Sequence, residues 1–351
     1  MYMKKIRLLS ALTALMLMLN AAAFSVSATQ EEPAQTTAPV ETTLPPESTT
    51  PSELEATMPP DFQGDASVEF GSRTLDAKKP LSDTSDYKAK VKAALLYDIG
   101  ADSLVFAQDI DVQLYPASLT KVMTCLLTLE MQSDLEAIVT VTEDGLKGQE
   151  PDGSSVGLKV GEQMSVKDLL YCLMVKSGND AASVLAVQNS GSIEAFVEVM
   201  NQKAAQLGCT GTHFVNPHGL DAPGHYSSAR DLAVLAAYAM ENPIFRKTVS
   251  TRSLMIGQRH LTNHNKLLWQ YPEATGVKTG YTKAAGRILV SSAVRQGRRL
   301  ICVTIHDPND WQDHSILLEE GFSGFSVEEL VKAGDVLGTA EIAGGTAGYV
   351  T

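Results

Sequence analysis

A globular fold cannot draw on residues 29 to 86 of this chain. The stretch is built from Thr, Pro, Glu and Ser, with Thr36-Thr37, Thr42-Thr43 and Pro45-Pro46 within it. Such a composition offers too little apolar surface to offset the entropy of ordering a chain. It holds 12 acidic and 3 basic residues, a net of −9. Lys4, Lys5 and Arg7 add +3 ahead of it, so the overall −13 leaves −7 for residues 87 to 351. The stretch reads as a disordered, solvated linker that holds a domain away from a surface. The 265 residues from 87 onward suffice for one large domain.

The first 28 residues read as a secretory signal peptide. A basic start is followed by the mostly apolar run Leu8 to Phe24, and Val26-Ser27-Ala28 supplies the small residues of a cleavage site. A retained membrane anchor is the alternative, since the run is near the lower limit for a span. No cysteine stands near the cleavage site, which argues against a lipoprotein. The expected location is therefore outside the cytoplasm, in the cell wall or on the outer face of the cytoplasmic membrane. An acidic chain with no basic stripe argues against nucleic acid as a partner. Cys125, Cys172 and Cys302 lie in apolar runs and read as small buried hydrophobes. With Cys209 they do not form a disulfide scaffold at this size.

Three short motifs follow one another in the globular part. They are Ser118-Leu119-Thr120-Lys121, Ser177-Gly178-Asn179 and Lys278-Thr279-Gly280. Each supplies a part that an acyl-transfer site needs. Ser118 is a candidate nucleophile with Lys121 as its base, one helical turn away. Ser177 and Asn179 can relay protons and position groups. Lys278-Thr279-Gly280 can bind a carboxylate from a strand edge. A serine three residues before a lysine is weak by itself, because Ser85-Asp86-Tyr87-Lys88 has the same spacing in a polar stretch. Ser118 differs in opening the run Val122, Met123, Cys125, Leu126, Leu127, Leu129 and Met131. That is helical spacing, with Pro116 just before it, so Ser118 is predicted at the head of a buried helix.

Strands are predicted at 93–98 and 103–108, joined as a hairpin, and at 288–294 and 300–306. Helices are predicted at 118–131, 166–176, 180–188, 193–207, 229–240 and 311–320. Strands at both ends with helices between them predict an α+β fold. Distant segments would form one antiparallel sheet, covered by helices and accompanied by a helical subdomain.

The wider segments around these motifs carry a resemblance. Tyr115-Pro116-Ala117-Ser118-Leu119-Thr120-Lys121, Lys176-Ser177-Gly178-Asn179-Asp180-Ala181-Ala182, Asn216-Pro217-His218-Gly219-Leu220-Asp221 and Gly276-Val277-Lys278-Thr279-Gly280-Tyr281-Thr282 are similar to segments of the D-alanyl-D-alanine carboxypeptidases. These are the low-molecular-weight serine penicillin-binding proteins. The resemblance implies a β-lactamase/transpeptidase-like catalytic domain at 87–322. It also implies the start of a small β-rich domain at 323–351, with no C-terminal membrane anchor visible. The substrate would be a peptidoglycan stem peptide ending in D-Ala-D-Ala, β-lactam antibiotics would acylate the same serine, and no cofactor is implied.

Site roles also come with the resemblance. Ser118 would attack the penultimate carbonyl, with Lys121 as the base and Ser177 and Asn179 beside it. The backbone N–H groups of Ser118 and Tyr281 would form the oxyanion hole, where losing one donor costs roughly 3–4 kcal/mol in comparable hydrolases. Lys278 and Thr279 would hold the substrate carboxylate, and Gly280 would let the substrate backbone lie against the strand. Where some family members carry an arginine near the carboxylate pocket, this chain has His264.

Other readings stand beside these. Ser177-Gly178-Asn179 can be a plain turn between helices, and Lys278-Thr279-Gly280 a surface strand edge. His218 reads as part of a structural turn near the site. Trp269 and Tyr271 are either packing residues or a wall of the groove. His260 and His264 would share a helix face, but no acidic or cysteine partner has matching spacing, so no metal site is expected. A class A-like β-lactamase is the nearest rival. It needs a Glu-x-x-Leu-Asn segment, and Glu198-Val199-Met200-Asn201 is too short and lacks the leucine. A non-catalytic wall-associated scaffold is the other.

Overall fold

The computed structural model describes residues 90–147, 153–324, 340–341 and 349–350. The signal segment, the linker and the decoy Ser85 lie outside the described residues. So does most of 323–351. In chain order the elements begin with β1 (Ala93–Asp98), β2 (Ser103–Gln108), α1 (Thr120–Met131) and β3 (Ile138–Thr140). Next come α2 (Glu143–Leu146), β4 (Gln163–Ser165), α3 (Val166–Met174), α4 (Asn179–Ser190), α5 (Ile193–Gln206) and α6 (Ala229–Ala239). They are followed by α7 (Pro243–Ser250), β5 (Ser253–Ile256), β6 (Arg259–Thr262), α8 (Leu267–Gln270) and β7 (Ala274–Thr282). Last are β8 (Gly286–Arg295), β9 (Arg298–Ile305), α9 (Asp310–Ser323), β10 (Ala340–Glu341) and β11 (Tyr349–Val350).

Local sequence explains most helix starts. Ser165, Ser192 and Ser228 each accept the backbone N–H three residues on, capping α3, α5 and α6. Asn242 caps α7, with Pro243 at its first position. The α4 helix ends at Gly191 in the left-handed region.

Five strands make one antiparallel sheet in the order β2-β1-β9-β8-β7. The N-terminal hairpin therefore pairs with a strand more than 200 residues away, with Leu95 opposite Val303. Both sheet faces are apolar. Leu96, Leu289, Leu300 and Cys302 pack with Leu317, Leu318 and Phe322 of α9 on one side. Leu95, Val290, Ile301 and Val303 belong to the larger core with α1, α3, α4 and α6 on the other. All four cysteines are free and buried. The α+β fold and the predicted antiparallel sheet are what is observed.

Several details differ from the sequence reading. The helix predicted from Ser118 begins as a 3-10 turn, Ala117–Leu119, and becomes α-helical at Thr120. Helix α7 and the β5–β6 hairpin were not anticipated, because each is short and mostly polar on its outer face. His260 lies on β6 and His264 beyond it, so the two do not share a helix face. Among the described residues no helix is long and apolar enough to cross a membrane.

Candidate active site

Ser118 sits in the 3-10 turn, half-buried at the head of α1. One turn on, the Lys121 side chain is fully enclosed, 0% exposed. Its Nζ lies 3.0 Å from Ser118 Oγ, 2.7 Å from Asn179 Oδ1 and 2.6 Å from the backbone oxygen of His218. Burial pushes its pKa well below that of an ordinary lysine, and the charge of Lys278 pushes the same way. The Asp180 carboxylate opposes both.

The arrangement of acceptors carries a chemical consequence. The Asn179 and His218 carbonyl oxygens can only accept hydrogen bonds. A neutral amine has two N–H groups, and these two oxygens occupy both. The remaining direction, toward Ser118, is then the lone pair, which faces the serine hydroxyl.

Ser177 lies in the turn between α3 and α4, and Asn179 opens α4. Ser177 is a non-glycine residue with φ 64°, a conformation that costs of order 1–3 kcal/mol and needs surrounding structure to hold it. Gly178 N–H bonds Cys172 O at 3.0 Å, and Asn179 N–H bonds Ser154 O at 2.7 Å. The buried Asp180 carboxylate accepts the N–H groups of Val156, Gly157 and Leu158. Ser177-Gly178-Asn179 is thus a turn between helices, as the plain reading had it, and it also anchors the loop bearing Ser154.

The third motif lies on β7, the edge strand. Lys278 is 2% exposed and its Nζ donates to Thr279 O at 2.8 Å. Burial lowers its pKa to about 7. Gly280 faces the serine turn. A Cβ there would stand 2.6 Å from Leu119 Cδ2 and 3.2 Å from both Ala117 Cβ and Ser118 N. The missing side chain therefore serves the close approach of β7 to the serine turn. Tyr281, 66% exposed, follows at the rim.

The motifs converge on a cleft of about 970 Å³, lined by Ser118, Ser177, Asn179, Thr279, Gly280 and Tyr281. Lys121 and Lys278 lie buried beneath that lining. His218 and His264 also line it, and both have lowered pKa values. His218 falls to about 3 through burial and the neighbouring Lys121 and His225 charges. His264 falls to about 4 through lost solvation, then Lys278, Lys176 and Lys121. Trp269 and Tyr271 are not part of the lining. Tyr271 is buried with its hydroxyl on Glu319. The aromatic group on the cleft beside Tyr281 is Trp311, with the Arg287 guanidinium 5.3 Å from its ring centroid. No motif pointed to Arg287 or Trp311, because both reach the cleft only through the β8–α9 packing. Glu198 lies on α5, outside the lining. Among the described residues there is no group of three or more His, Cys, Asp or Glu that could hold a metal ion.

A helix-covered antiparallel sheet with a serine–lysine pair beside its edge strand is the architecture of the penicillin-binding DD-peptidases. Crystal structures of penicillin-binding protein 5 from Haemophilus influenzae share it, with a TM-score of 0.68, 33% identity and coverage of 76% of this chain and 80% of that one. So does the Streptomyces K15 DD-transpeptidase, with a TM-score of 0.65, 29% identity and coverage of 68% and 100%. In sequence, the chain is 36% identical over 241 residues to D-alanyl-D-alanine carboxypeptidase DacB2 of Mycobacterium tuberculosis, covering 65% of this chain and 81% of that protein. The D-alanyl-D-alanine carboxypeptidase family, peptidase S11, matches residues 79–309, and this chain belongs to it.

Proposed function

We propose that this protein removes the terminal D-alanine from peptidoglycan stem peptides through an acyl-enzyme on Ser118. The activity is that of a serine-type D-Ala-D-Ala carboxypeptidase. The observation that carries the residue roles is the placement of Lys121 Nζ 3.0 Å from Ser118 Oγ, with the Asn179 and His218 oxygens on its two other sides. Lys121, neutral through burial and the Lys278 charge, takes the Ser118 proton as Oγ attacks the penultimate carbonyl. The oxyanion forms against the N–H groups of Ser118 and Tyr281. Collapse breaks the peptide bond, and the departing D-alanine amine takes up a proton handed on through Lys121 and Ser177. Water then hydrolyses the ester, releasing the shortened peptide and restoring Ser118. Lys278 and Thr279 hold the terminal carboxylate at the strand edge. A penicillin acylates Ser118 by the same attack and leaves slowly.

We further propose that residues 1–28 direct export, that 29–86 tether the enzyme outside the cytoplasm, and that residues 87–322 carry the chemistry, with a β-rich segment at 323–351. Composition supports the first two parts, and the three motifs support the third. The deciding experiment is mass spectrometry of the purified protein with diacetyl-Lys-D-Ala-D-Ala. Release of D-alanine is expected, together with one covalent penicillin on Ser118. Rapid penicillin turnover without D-alanine release would overturn the assignment.

A further inference from the structure

The segment from Phe214 to Gly219 runs beside α1 and offers it two carbonyl oxygens. Pro217 O accepts from Thr124 Oγ1 at 2.6 Å, and His218 O accepts from Lys121 Nζ at 2.6 Å. Behind this segment lies His225, 1% exposed and absent from the chemistry described above. Its Nδ1 accepts the Val215 N–H at 3.0 Å. The ring proton must therefore sit on Nε2, which donates to Thr120 Oγ1 at 2.9 Å. Thr120 is the first residue of α1 and the neighbour of Lys121.

We propose that His225 is a positioning residue for Lys121. One ring joins Val215, at the base of the carbonyl-bearing segment, to Thr120 on the helix. This holds the His218 oxygen on one Lys121 N–H, so the lone pair stays aimed at Ser118. The segment has other anchors: Asn201 pairs with both the N–H and the carbonyl of Phe214, and Thr124 holds Pro217. The His225 link is the one that ends on the residue adjacent to Lys121.

The link works only with a neutral imidazole, because a protonated ring has no acceptor for the Val215 N–H. Burial holds the His225 pKa down to about 4, with a further push from His213. The charged or titratable groups acting on Lys121 itself are Lys278 from β7 and Asp180 from α4, and His218 and His264 respond to it.

A glutamine carries an acceptor and a donor on one carbon, as imidazole carries its two nitrogens on Cε1. Leucine fills the space with neither. The inference rests on the Ser118–Lys121 reading. The test is the rate of acylation by a fluorescent penicillin against pH, for the full chain and corrected for folded fraction by circular dichroism. In His225→Leu the maximum rate should fall on the order of tenfold to a hundredfold, as for a small misplacement of a reacting group. The acid limb should also move to lower pH, because the Lys121 ammonium loses the carbonyl that stabilises it. His225→Gln should recover most of the rate. Should His225→Leu fail to fold, Thr120→Val, which removes the acceptor at the other end of the link, should show the same loss and the same shift. An unchanged rate and limb in the folded variant, or a His225→Gln variant as slow as His225→Leu, overturns the proposal. Labelling that survives Ser118→Ala would instead overturn the Ser118–Lys121 reading beneath it.

Discussion

Lys121 Nζ stands 3.0 Å from Ser118 Oγ with its two other hydrogen-bonding directions taken by carbonyl oxygens. The pair is local, three residues apart, but the occupied directions come from α4 and from the 214–219 segment. If this geometry performs the chemistry, Ser118→Ala should abolish penicillin labelling while leaving the melting temperature near that of the wild type. Lys121→Arg should be almost inactive, because a guanidinium does not give up its proton in the working range. Intact-mass analysis after penicillin treatment checks both. Acylation of the arginine variant at the wild-type rate would remove Lys121 as the base.

Lys278 should be separable from Lys121 by pH. Its positive charge lowers the Lys121 pKa, and burial puts its own pKa at about 7, so the push is fullest below that pH. Acylation needs neutral Lys121 and therefore falls as pH drops through the Lys121 pKa. Removing the charge in Lys278→Ala raises that pKa, so the acid limb should move to higher pH. Lys278→Arg keeps a cation and should retain more activity than Lys278→Ala. The readout is acylation rate against pH for the three proteins, and a limb that stays in place in Lys278→Ala refutes the coupling.

Two glycines should differ in what they tolerate. At Gly219, φ is 92° and a Cβ would lie 1.8 Å from the backbone oxygen of Ala117, next to the serine. Backbone cannot give way as a side chain can. Gly219→Ala should displace the serine turn and lower stability by more than about 1 kcal/mol. At Gly280 the nearest atom is a side-chain tip, Leu119 Cδ2 at 2.6 Å, rather than backbone, so Gly280→Ala should be milder in stability. Urea melts of both variants, with penicillin labelling, test the order. Equal effects would show that the Ala117 contact relaxes freely.

Acid should weaken the fold through His314. The imidazole is enclosed, with Ser291 Oγ 2.6 Å from Nδ1 and Thr304 Oγ1 3.0 Å from Nε2, and burial lowers its pKa to about 3. Between that value and the ordinary histidine pKa the unfolded chain binds a proton that the folded one refuses. Stability therefore falls as pH drops through this window, by on the order of 5 kcal/mol in total. His314→Gln, which can keep both hydrogen bonds without titrating, should flatten the slope of urea-measured stability against pH. An undiminished slope would place the acid sensitivity elsewhere.

Much of this molecule was legible in its residues. The β1–β2 hairpin spans the residues predicted for it, and α3, α5 and α6 begin at the residues predicted for them. Ser118 and Lys121 share a helix turn because their spacing is a local property of the chain. Helix α7 and the β5–β6 hairpin were not legible, since short amphipathic pieces owe their conformation to what they pack on rather than to their own periodicity. Gly280 shows a similar limit. Its sequence neighbours mark a strand edge, and only the packed fold shows that the serine turn occupies the space its side chain would need.

What the sequence by itself determined is the set of parts: a serine one turn from a lysine, a series of helices and a lysine-bearing strand. What only the tertiary structure decided is the state of those parts. Lys121 is an ordinary lysine until the sheet, α4 and the 214–219 segment enclose it. Burial then removes its solvation, Lys278 from 157 residues away adds a repelling positive charge, and the oxygens of Asn179 and His218 direct its lone pair. Desolvation and orientation are properties of surroundings, so no spacing along the chain could have stated them.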